Sequence, residues 1–120
     1  MARESYYQKR IIDWFKSIGG TAITGTLPTG EADVQAGYPH EGRLLNVMVE
    51  VKTEEDYHRV MRGVVEKDGR YFITDSKALK KHEPLQILKL NNVRARGGLA
   101  LIAFSVAQVI EYIEEELNAD

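Results

Sequence analysis

The chain has 120 residues, enough for one domain with a core of its own and no need of cross-links. It contains no cysteine, which excludes disulfides and thiolate-held zinc, and no apolar stretch that approaches the roughly 18 residues of a membrane span. The net charge of −2 argues weakly against nucleic acid, for which a basic domain is expected.

That charge is unevenly spread. Residues 111–120 hold five acids and no base, and without them the chain is +3. Residues 76–97 hold six bases and a single acid, Glu83. The basic stretch, with Lys80, Lys81, Lys89 and Arg94, suits phosphate binding as well as it suits a solvated helix face. Residues 1–5 carry no signal-peptide core, so a soluble, cytoplasmic protein is expected.

Taken in order, residues 4–18 read as a helix that Gly19-Gly20 stops. Tyr7, Ile11, Trp14, Phe15 and Ile18 recur at helical spacing as a buried stripe. Glu4 extends that stripe, which is costly for an acid unless it is paired or bound. A frayed first turn would accommodate it equally well. Residues 21–26 read as a strand, residues 27–30 as a turn, and residues 32–36 as a short strand carrying Asp33. A turn at residues 38–42 precedes a longer strand over residues 44–52. An antiparallel hairpin made of these two strands would bring Asp33 beside the end of the longer one.

Residues 54–61 are ambiguous between helix and loop. Asp68-Gly69 between β-formers is the strongest short hairpin signal, so residues 64–73 form a second hairpin, read as an arm projecting from the core. Pro84 opens a helix that runs to about residue 96. The apolar run over residues 99–104 reads as a central strand buried on both faces. Ser105 caps the last helix, with Gln108 as its capping-box partner.

The chemistry centres on Glu50-Val51-Lys52. Side chains alternate along a strand, so Glu50 and Lys52 share a face and Val49 and Val51 take the other. A chain this rich in Glu and Lys contains such a tripeptide by chance. Alone it is compatible with a surface ion pair or with half of a metal site. His40, His58 and His82 have no metal-ligand spacing, and no nucleotide-binding or nucleophile motif is present.

The full order is a helix with Glu4 and Gln8 near its start, Gly30-Glu31-Ala32-Asp33, Glu50-Val51-Lys52, a helix opened by Gln86, a strand and a last helix. It resembles the PD-(D/E)XK nuclease superfamily and, within it, the VRR-NUC domain. Residues 85–113 look like the second half of that domain. The likeness leaves out residues 54–82, which are longer than the usual connector. Ala32 stands where the family often has Pro, which removes a φ restraint but no ligand.

The resemblance implies a single domain over residues 1–120. Its fold would be α/β and restriction-endonuclease-like, a mixed β-sheet flanked by helices, with an additional β-hairpin insertion at about residues 54–82. It implies that Asp33, Glu50 and the Val51 carbonyl hold Mg²⁺ or Mn²⁺, hard cations that take oxygen ligands. Lys52 would hold or activate the attacking water, with Gln86 and Glu4 in supporting catalytic positions. The implied activity is a metal-dependent DNA endonuclease acting on branched substrates such as Holliday junctions or flaps. A nuclease of this size must cut two strands to resolve a junction, so a homodimer is expected, and the lack of a long apolar stretch places it away from membranes. A non-catalytic DNA-binding or assembly module on the same scaffold is the alternative.

Overall fold

A computed structural model describes residues 3–24 and 33–119, the side chain of Asp33 excepted. Helix α1 (Glu4–Ser17) turns its Ile11 and Phe15 inward and ends before Gly19, whose φ of 84° suits a residue without a Cβ. Strand β1 (Thr21–Thr24) follows, and residues 25–32, including the expected turn, lie outside the described set. Strands β2 (Asp33–His40) and β3 (Arg43–Val51) form a hairpin closed at Glu41 and Gly42, both at positive φ. The expected turn over residues 38–42 is therefore shorter, and β2 runs through Pro39. Pairing between β1 and β2 ends at Gly37, so Pro39 lies where no strand on that side asks for an N–H.

Helix α2 (Glu54–Met61) resolves the ambiguous stretch. The Thr53 hydroxyl accepts a hydrogen bond from the Asp56 N–H at 3.1 Å, and three acids fill the first turn. Strands β4 (Val64–Lys67) and β5 (Arg70–Ile73) form the hairpin expected from Asp68-Gly69, with φ of 54° and 73° at the turn. It does not project as an arm. Val64 and Tyr71 are buried, and the Asn91 side chain bonds both the N–H and the carbonyl of Tyr71. Helix α3 (Glu83–Ala95), strand β6 (Leu99–Ala103) and helix α4 (Val106–Asn118) complete the chain, α4 beginning with the capping box of Ser105 and Gln108.

The main sheet has the order β1-β2-β3-β6, with β6 parallel to β3 and the other pairs antiparallel. This is a mixed sheet with helices on both faces. One core lies on the Val47, Val49 and Val51 face with Ile11, Phe15, Val109 and Ile113. A second joins Met48 to Val60, Tyr71, Ile87 and Leu90.

Contrary to the sequence expectation, β6 is an edge strand, yet it is buried on both faces as expected. Its free edge is closed by side chains. The Ala100 N–H donates to the Tyr112 hydroxyl and the Ile102 N–H to the Tyr71 hydroxyl, each at 3.1 Å. The Arg94 Nε donates to the Ala100 carbonyl at 2.7 Å. Edge groups that a fifth strand would have satisfied are thus bonded within the chain.

Candidate active site at the end of the sheet

The hairpin register sets Asp33 directly opposite Glu50 at the last rung of the β2–β3 ladder. On the other side, Glu50 faces Ile102 of β6. The Lys52 N–H donates to the Ala103 carbonyl at 3.0 Å, which carries the β3 direction one residue past the strand. Glu50 and Lys52 point away from the valine core, toward α3, as strand alternation requires. Both are buried, at 2% and 5% exposure.

The ion pair that the tripeptide allowed does not form. Lys52 Nζ donates instead to Glu83 Oε2 at 3.0 Å and to Gln86 Oε1 at 2.9 Å, both on the first turn of α3. Gln86, expected near the chemistry, is thus brought to Lys52. Glu83 was not expected. It precedes Ile87 by four residues and Leu90 by seven, so an acid on an apolar helical stripe was the available signal, as it was for Glu4.

Glu83 is the most fully engaged group at the site. Arg59 Nη1 donates to its Oε1 at 2.7 Å, Arg59 Nη2 to its Oε2 at 2.8 Å, and the Lys80 N–H to its Oε1 at 2.6 Å. Burial acts to raise its pKa, but the Arg59 guanidinium, the Lys80 amide and the Lys52 ammonium outweigh it and hold the carboxyl down at about 2.

Glu4 reaches the same end of the molecule. Aromatic contacts carry α1 there: Tyr7 meets Phe104 edge-on at 6.4 Å, and Phe104 meets Tyr57 of α2 at 5.1 Å. Burial raises the Glu4 carboxyl above its usual range; the Lys52 charge opposes that shift and the Asp56 charge adds to it. Glu4 is therefore close enough to Lys52 to feel its charge.

The basic segment divides. Lys80 and Lys81 are exposed beside the site, and Lys89 is half-buried. Arg94 was expected to face nucleic acid, but it turns inward with a side chain 7% exposed. Its guanidinium lies 4.4 Å from the Tyr71 ring and 5.0 Å from the Tyr112 ring. Nη1 is 2.6 Å from Glu66 Oε2, an ion pair out of line for a hydrogen bond. Its work is to seal β6.

Among the described residues, no hydrogen bond or ion pair engages the Glu50 carboxylate. A buried carboxylate without a countercharge is costly, and a divalent cation is one group that would supply it. No group of three His, Cys, Asp or Glu side chains is placed for a metal among the described residues, a set without the Asp33 side chain. The donors at hand, carboxylates and strand carbonyls, are the oxygen ligands that hard cations take. A groove of about 830 Å³ opens at the opposite end of β3 and β6, beside Asn46, Arg96 and Tyr112. No helix among the described residues is long and apolar enough to cross a membrane.

Comparison of the chain with protein-family models, curated proteins and solved structures found no match.

Proposed function

We propose that the protein is a divalent-metal-dependent endonuclease that hydrolyses phosphodiester bonds in DNA, with branched DNA such as Holliday junctions or flaps as its substrate class. The observation that carries this reading is the register of Asp33 opposite Glu50, with Lys52 two residues beyond on the Glu50 face. Gln86 bonded to Lys52, and Glu4 within reach of its charge, add to it. On the same reading the scaffold is restriction-endonuclease-like and of VRR-NUC type.

Asp33, Glu50 and the Val51 carbonyl would hold Mg²⁺ or Mn²⁺. Bound there, the cation supplies Lewis acidity toward the phosphate and acidifies a water. The chain's own residues do the rest. Two of the three donor positions of the Lys52 ammonium are taken by Glu83 and Gln86, which leaves one for the phosphate or the attacking water. Lys80 and Lys81 stand beside the site to meet the flanking backbone, by charge and without base readout. A duplex is bound across a surface, so the site needs no deep cavity. Two cuts in a junction call for two sites, hence a homodimer.

The test is incubation of the protein with labelled four-way, flap and linear duplex DNA, with and without Mn²⁺. Metal-dependent cutting with a preference for branched DNA is expected. Binding without cutting at any metal concentration would favour a non-catalytic DNA-binding or assembly module.

A further inference from the structure

We infer that Glu83 is the positioning residue for the Lys52 ammonium, a role that rests on the nuclease reading for its consequence but not for its geometry. Four donors converge on this carboxylate: two from the Arg59 guanidinium, one from the Lys80 amide and one from Lys52. Two donors fall on each oxygen, which uses the lone pairs a carboxylate offers. Glu83 therefore has no capacity left for a metal ion or a water. It anchors and does not react.

The anchor itself is well fixed. The Arg59 fork comes from α2, and Arg59 Nη1 also donates to the Ala78 carbonyl at 2.9 Å. The Lys80 amide comes from the connector that leads into α3. Two elements of the chain beyond β3, α2 and the connector, thus hold one carboxylate in place, and that carboxylate holds the ammonium. A free lysine side chain samples many rotamers, whereas Lys52 is fixed by two acceptors on the same turn of one helix. Its remaining N–H donor is aimed by that pair. Residues 54–82, where the likeness to VRR-NUC domains stops, contribute both the Arg59 fork and the Lys80 amide.

The experiment uses the full chain with Glu83→Gln and, as a milder variant, Arg59→Gln, each checked for folding by circular dichroism. Lysine acetylation is mapped by mass spectrometry, with exposed Lys16 as the internal reference. Lys52 modification should rise roughly tenfold or more in Glu83→Gln, the scale set by loss of a hydrogen bond between charged groups. Arg59→Gln should change it in the same direction by less, and it carries the test if Glu83→Gln does not fold. DNA turnover in saturating Mn²⁺ should fall roughly 10- to 100-fold, the usual cost of losing a group that orients another. The Mn²⁺ affinity, read by calorimetry, should stay as in the wild type. Unchanged Lys52 labelling in both variants would overturn the inference, and so would increased labelling with full turnover. A wild-type protein that cuts no DNA, yet whose variants expose Lys52, would sink the nuclease reading and leave the Glu83 anchor standing.

Discussion

Glu50 and Lys52 lie on one face of β3, two residues apart, and are not each other's partners: the ammonium is held by Glu83 and Gln86 of α3. The separation leaves the Glu50 carboxylate without a protein cation among the described residues. It also gives the two groups independent roles that substitution can separate.

Asp33→Asn and Glu50→Gln should each abolish cleavage while leaving the fold intact, since each removes an anionic ligand at nearly constant shape. Mn²⁺ binding by calorimetry should fall with activity. Near-wild-type rates in both variants would remove the proposed metal site.

Lys52→Ala should keep its metal affinity and lose on the order of 10²-fold or more in rate. Its cost to stability should also be visible, because Glu83 is left with one fewer cation in a buried setting. A change in metal affinity with no change in rate would make Lys52 structural.

Stability should depend on acid in a definite window. The Glu83 carboxyl is held at about 2 in the folded chain against 4.5 as its ordinary value. A depressed acid contributes stability that is complete above the ordinary value and is lost as pH falls from about 4.5 toward about 2. Its share is on the order of 3 kcal/mol. Urea unfolding across that range should show a steep loss in the wild type and a flatter one in Glu83→Gln. Parallel curves would place the acid sensitivity elsewhere.

The two halves of the basic segment should separate experimentally. Replacing Lys80 and Lys81 with Ala should weaken DNA binding alike across sequences and reduce the salt slope by about 0.9 for each phosphate no longer neutralised. Arg94→Ala should leave that slope unchanged and cost about 2–4 kcal/mol, since it removes two cation–aromatic interactions and a buried bond to β6. A shallower salt slope in Arg94→Ala would return that residue to the DNA face.

The exposed side of the hairpin is the candidate subunit interface. Val65 and Phe72 pair across its strands at 46% and 41% exposure, on the face opposite buried Tyr71. Val65→Thr with Phe72→Thr should leave the buried face in place and yield a monomer by sedimentation, able to nick but not to make paired cuts. A double variant that stays dimeric would move the interface elsewhere.

Much of the site was legible because strand physics is local. Alternation put Glu50 and Lys52 on one face, and the hairpin expectation set Asp33 beside the end of the longer strand, where the register pairs it with Glu50. Asp68-Gly69 predicted its turn for the same reason, a demand for positive φ that few residues meet. What was illegible was tertiary. Nothing near Lys52 in sequence says that its partner lies 31 residues on. Hydrophobicity alone could not tell a central strand from an edge strand covered by side chains, so β6 was misplaced in the sheet. Arg94 looked like surface charge because its two tyrosine neighbours come from β5 and α4.

The hydroxyls of Tyr71 and Tyr112 sit where a further strand would dock against β6. Among the described residues the sheet consequently has one open boundary, at β1. A strand arriving from outside can therefore extend the main sheet only at β1, and growth of that sheet is one-sided.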